Sequence, residues 1–272
     1  MSLKRSVSMN HEIAFRDIQL TSSEIEIRKI SVKDLLQSLR EGYDDFTANP
    51  SFGVFLVIIY PLFAVILTVS QVGENLLYLA FPMVAGLTLI GPVVSVCLFE
   101  MSKRREQELE VSWGSSFEFV HSRSYAPILA LSFLMMLLYS AWVFMAQFIY
   151  LGLFGAMNFA SFTEFVTEVV TTKPGGALIV YGNAVGFIFA FAALSISVVG
   201  FPLLLDKPTS SATAVAVSFR AVNSNTLVML LWGLIVVALL TAGAMLFMVG
   251  LAVVLPVLGH ATWHLYRKVV KE

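Results

Sequence analysis

Formal charge is absent from four long stretches of this sequence, 52–72, 76–99, 125–151 and 178–203, none of which holds an Asp, Glu, Lys or Arg. A soluble domain cannot be so built. Only 13% of the 272 residues are charged and 58% are hydrophobic, against about 25% and 45–50% in an ordinary globular chain, and the mean hydropathy is +0.83. The scarcity of charge excludes water as the main solvent. Because the 17 basic and 18 acidic residues nearly cancel, no net field points to a nucleic acid or an acidic substrate as partner. Cysteine is limited to Cys97, which excludes an intrachain disulfide, and its apolar neighbours predict a buried, inert thiol. The first fifty residues lack the apolar core of a cleavable leader, so segment 1–50 is expected to be retained and cytoplasmic.

Reactive motifs are equally scarce. No serine stands in a GxSxG elbow and no glycine-rich phosphate loop occurs, so the chain is not expected to be an enzyme. Ion-coupled carriers keep an ionisable group at membrane depth, and the charge-free stretches offer none.

What is present is length of apolar chain. Crossing about 30 Å of hydrocarbon takes roughly 20 apolar residues in a helix, whose backbone polar groups are all bonded internally. The four charge-free stretches meet that length, the first two joined only by Gly73, Glu74 and Asn75. A fifth stretch, 226–266, is too long for one span and just long enough for two, near 226–246 and 249–266, turning between Gly243 and Gly250. The alternative for this stretch is one tilted span followed by a re-entrant half-helix broken at Pro256 and Gly259. Charge placement favours two spans: with an even number of crossings, the cluster Lys103, Arg104 and Arg105 and the terminal Arg267, Lys268 and Lys271 share one side, and only Lys173 falls on the other. The expected fold is therefore an all-α, polytopic membrane bundle of about six spans over 51–272, with both ends inside.

Shorter amphipathic segments fill the inner loops. Ser31 with Asp34 predicts a capped helix that places Val32, Leu35, Leu36, Leu39, Tyr43 and Phe46 on one face and ends at Asn49–Pro50. Trp113, Phe117 and Val120, and later Ala212, Val215, Phe219 and Val222, recur at helical spacing. An outer helix is expected within 158–172. Pro92, Pro202 and Pro256 near span ends, with Ser116–Phe117 and Ser218–Phe219 following the first two, suggest three related hairpins.

Two places invite a functional reading. Gly182, Asn183, Gly186 and Ala190 form a small-residue stripe suited to close helix packing, with Asn183 bonding across the contact. His260 and His264, four residues apart on one helix face, could present two imidazoles to a metal or a haem; the competing reading places them with Trp263 and Tyr266 in an inner aromatic belt. His11 and His121 are the only other histidines, so no complete ligand set is visible and no cofactor is expected.

The helix ending Leu39-Arg40-Glu41-Gly42-Tyr43-Asp44-Asp45-Phe46 before Tyr60-Pro61, and above all the closing Leu255-Pro256-Val257-Leu258-Gly259-His260-Ala261-Thr262-Trp263-His264-Leu265-Tyr266-Arg267, resemble a bacterial integral membrane family catalogued as domain of unknown function 2189. The resemblance runs from about Ile30 to Lys268. It implies a multi-pass place in the bacterial inner membrane and supplies no activity; some members carry a cytochrome oxidase subunit label, which implies histidine-bearing helices. The leading functional expectation is a non-enzymatic membrane component engaging membrane lipid, another membrane protein or a second copy of itself. The alternatives are a carrier of a small neutral or lipidic solute and a haem- or metal-binding respiratory-type subunit using His260 and His264.

Overall fold

The computed structural model describes residues 20–50, 77–112, 114–155, 157, 159, 161–245 and 250–271; the expected first span at 52–72 and Trp113 lie outside them. Ten α-helices occur among the described residues: α1 (Val32–Ala48), α2 (Leu77–Val94), α3 (Val96–Glu106), α4 (Tyr125–Phe154), α5 (Phe162–Thr171), α6 (Lys173–Ser197), α7 (Gly200–Asp206), α8 (Ser211–Ser224), α9 (Thr226–Met245) and α10 (Leu251–Val269), with a 3-10 turn over Ser115–His121. The all-helical class is as expected.

Among the described residues, three segments are long and apolar enough to cross a membrane: α4, the nearly continuous α6–α7 over Lys173–Asp206, and α9. Their outward surfaces are those of a protein in lipid. Phe144 and Phe148 on α4, Ile188 on α6 and Leu227 and Met245 on α9 all stand more than 60% exposed. Apolar surface on this scale is not left to water by a folded domain.

Polar residues mark where these helices break or lock. At the α6–α7 junction the Ser218 hydroxyl, fully buried on α8, accepts the Val199 N–H at 3.2 Å. Trp142 on α4 donates its indole N–H to the Pro82 carbonyl of α2 at 2.8 Å, which fixes the register of the two helices at mid-length. On the far side of the bundle α5 is capped by Ser161, whose hydroxyl accepts the Glu164 N–H, and it buries Phe165 against Tyr150, Phe154 and Phe159. This is the outer amphipathic helix expected within 158–172.

At the opposite end, residues 20–31 run as a strap across several helix termini. The Arg28 N–H donates to the Val269 carbonyl, Ile27 pairs with Val270, and the Leu20 N–H donates to Pro208. Asn225, between α8 and α9, accepts the Ile30 N–H and donates to the Arg28 carbonyl. The strap, the ends of α3, α7 and α10 and the α8–α9 junction therefore occupy one end of the molecule.

Several local expectations change. Ser31 does cap α1, its N–H and hydroxyl both donating to Asp34. The buried face of that helix, however, is Leu35, Ser38, Gly42 and Asp45, while Val32, Leu36 and Tyr43 point outward. The cause lies in the partner: α10 approaches so closely that a Cβ on Gly42 would fall 2.5 Å from the Ala261 nitrogen, and it presents His264 to Asp45. On α8 the buried stripe is Ala214, Val217, Ser218, Ala221 and Val222, one position around from the predicted one, so Phe219 is exposed. Finally, α10 is continuous through Pro256 and Gly259, which removes the alternative of a half-helix broken there.

Candidate functional site

The richest side-chain chemistry lies where α1, α3 and α10 meet. On α10, His260, His264 and Lys268 recur every four residues and so share one face. On α1, Glu41 and Asp45 do the same, and the glycine between them lets the two backbones touch. Ser102 and Arg105 enter from α3.

Asp45 is the hub. One carboxylate oxygen, Oδ1, receives Arg105 at 2.9 Å; the other, Oδ2, receives Ser102 Oγ at 2.6 Å and lies 2.8 Å from His264 Nε2. Ser102 Oγ is also 2.8 Å from His260 Nδ1. Serine has one proton, and a 2.6 Å contact to a carboxylate is the stronger bond, so the proton points to Asp45 and His260 Nδ1 donates to Ser102. The chain of bonds thus runs His260, Ser102, Asp45, with His264 closing it from the other side. Glu41 accepts from Lys268 at 2.6 Å and lies 3.6 Å from His264 Nδ1. His260 is 1% exposed and its Nε2 is buried with no bonding partner.

Burial alone would raise the Asp45 carboxyl. The bonds from His264 and Ser102 and the charges of the two histidines outweigh it and hold the group below the usual carboxylate range. Glu100 shows the reverse balance: burial raises it, and the charges of Lys103 and Arg104 offset this only in part.

A second ring of bonds surrounds the hub. Trp263 Nε1 and Arg267 Nε both donate to Glu106, at 3.1 and 3.0 Å, and the Tyr266 hydroxyl donates to Asp206 at 2.6 Å. Lys103 donates to the Leu205 carbonyl at 2.7 Å, satisfying the C-terminus of α7. Arg104 pairs with Glu118 at 2.7 Å. The basic cluster of residues 103–105 is therefore three separate ties between elements.

This constellation holds helices together and has no free nucleophile. Ser102 is 1% exposed and its proton faces a carboxylate, whereas a nucleophilic serine must give its proton to a histidine base. The nitrogens of His264 and His260 that face the hub are already engaged, and among the described residues no group of three His, Cys, Asp or Glu is placed to hold a metal ion. The aromatic-belt expectation is corrected. Trp263 and Tyr266 are wholly buried, because α1, α3 and α7 cover the face of α10 that would otherwise meet lipid.

The small-residue stripe on α6 divides. Gly186 sits against the Trp142 ring, but Gly182 has open space, Ala190 is exposed, and the Asn183 amide donates to Ile179 in its own helix at 2.7 Å. The bond across a helix contact is replaced by one within α6. Sequence reasoning missed Asp45, Ser102, Glu106 and Asp206. For Asp45 a signal existed: Glu41, Gly42 and Asp45 fall on one turn-and-a-bit of helix, a close-approach glycine flanked by two carboxylates.

Residues 80–206 match the family model described as predicted integral membrane protein, domain of unknown function 2189. The match is narrower than the resemblance in sequence suggests, since both the α1 motif and the closing histidine motif lie outside it. No curated protein and no solved structure matches the chain.

Proposed function

We propose that this chain is a multi-pass protein of the bacterial inner membrane, with both ends cytoplasmic, that acts by holding a membrane lipid or another membrane protein and carries out no chemistry of its own. Six apolar segments enter the bilayer in this reading. The gathering of the strap, the basic cluster of residues 103–105 and the C-terminus at one end of the molecule supports it, since an even number of crossings must separate elements that touch.

The observation that carries the functional half is the surface of the end of the molecule that holds Asp45. Its buried polar groups are spent on one another around Asp45, while Val32, Leu36 and Tyr43 on α1, Phe117 in the 3-10 turn and Phe219 on α8 remain exposed. Amphipathic elements that bury one face on their own protein and keep apolar side chains on another are suited to an apolar partner at the membrane boundary. A photoreactive side chain placed at Leu36, Tyr43 or Phe219 in native membranes should give a reproducible lipid or protein adduct. Failure of all three to give any adduct beyond that of an exposed polar site such as Gln37 would overturn the proposal.

A further inference from the structure

Helix contacts allow depths to be compared. Gly86 of α2 and Gly186 of α6 both face the Trp142 ring of α4, so these three positions share one level. From that level α4 continues twelve residues to Phe154 and α6 begins thirteen residues earlier at Lys173. At the helical rise both far ends lie about 18–20 Å away. The Trp142 level is thus close to the middle of a hydrocarbon layer about 30 Å thick.

The last two helices can be placed against the same level. On α9, a Cβ at Gly233 would lie 3.5 Å from Leu194 of α6. Leu194 is eight residues past Gly186 toward the end that holds the Asp45 hub, or latch, between α1 and α10, about 12 Å. Met245, twelve residues further along α9, then rises only about 6 Å above the Trp142 level. On α10, Gly259 packs on Leu98 of α3, twelve residues and about 18 Å from Gly86. Leu251 is eight residues back along α10 and ends about 6 Å below the Trp142 level. The two routes differ by about 12 Å, yet both leave the facing ends of α9 and α10 within about 6 Å of the Trp142 level, well short of the roughly 18–20 Å that α4 and α6 reach. Between them Gly243 and Gly250 touch so closely that a Cβ on Gly250 would lie 2.8 Å from the Gly243 Cα, as the tip of a tight hairpin requires.

We propose that α9 and α10 form a re-entrant hairpin, entering the bilayer from the side of the Asp45 latch and turning back near its mid-plane, with acyl chains of the opposite leaflet covering the tip. This rests on the membrane placement proposed above and sharpens it: the last two apolar segments enter together without crossing. It accounts for two features. Met245 at the tip is 78% exposed, open to lipid, and α10 alone among the closing segments carries its second half outside hydrocarbon, where His260, His264 and Lys268 meet α1. A hairpin of this depth displaces lipid from one leaflet only.

Nitroxide labels on single cysteines in a Cys97→Ser background, in lipid vesicles, read depth through the ratio of oxygen to nickel-chelate accessibility. Labels at Phe133, Phe144 and Leu151 on α4 give the depth ladder; Leu234, Val237 and Met245 on α9 are the test. The expected result is depth increasing from Leu234 to Met245, with Met245 matching Phe144. A Met245 label as shallow as Leu151 would mean that α9 crosses completely, and the hairpin would be wrong. No depth gradient along α4 would refute the membrane placement itself, and the hairpin with it.

Discussion

Replacing Asp45 by alanine removes the acceptor shared by Arg105, Ser102 and His264, and the three partners respond differently. Arg105 has a side chain 41% exposed, so it turns to water and its loss counts for little. Ser102 keeps His260 within 2.8 Å and can reverse its bond. His264, with a side chain 18% exposed, loses the charge-assisted bond at 2.8 Å. Stripping one partner from a fully buried ion pair costs about 3–5 kcal/mol; with one partner rehydrated and one rebonded, about 2–3 kcal/mol is expected here. The loss should be local, because α1 is held to α10 chiefly through this hub and the Gly42 contact. Amide hydrogen exchange of α1 in detergent or nanodiscs reads that opening directly. Protection over residues 35–46 should fall about 30- to 150-fold, at 1.4 kcal/mol per factor of ten, while α4 and α6 keep theirs. Undiminished protection of α1 in Asp45→Ala would refute the view that the hub fastens the helix.

Other perturbations should act on the same contacts. Gly42→Leu should release α1 more completely than Asp45→Ala, since any Cβ meets the Ala261 nitrogen and the Val257 carbonyl within 2.7 Å and neither backbone can yield; a spin-label distance between Gln37 and the C-terminal end of α10 should lengthen and broaden. With the folded Asp45 carboxyl held below its ordinary range, its contribution is fully present above that range, near pH 4, and is lost as pH falls through the lower folded value. Protection of α1 should therefore stay level from neutral pH to about 5 and decline only below about 4, and Asp45→Asn should lose this acid limb. Glu100 carries the opposite sign: its raised carboxyl makes the ionised form a cost at neutral pH, so Glu100→Gln should leave thermal stability at pH 7 unchanged or higher. A clear fall in melting temperature would contradict that.

The spans were legible because the rule behind them is one-dimensional: a charge-free run of twenty residues means the same thing whatever surrounds it. α4 and α6–α7 follow from it directly. The latch was illegible for the complementary reason. Asp45 and Ser102 are 57 residues apart and Asp45 and His264 are 219 apart, so no local pattern joins them, and apolar periodicity favoured Val32, Leu36 and Tyr43 for the buried face of α1. Tertiary packing reversed that preference, because a glycine lets the two backbones touch and the neighbouring carboxylate answers three donors. The depth of the α9–α10 pair could not be read for a related reason. Two short apolar helices satisfy the same hydropathy whether they cross or turn back, and only the rungs at Gly233–Leu194 and Gly259–Leu98 distinguish the cases.

In the proposed arrangement both ends of the chain share the side of the membrane where α1 is latched to α10. Single cysteines at Ser23 and Lys271 in a Cys97→Ser background, exposed to a membrane-impermeant maleimide in sealed vesicles of each orientation, test it. Both sites should react only in inside-out vesicles. Reaction of the two sites from opposite faces would contradict the account.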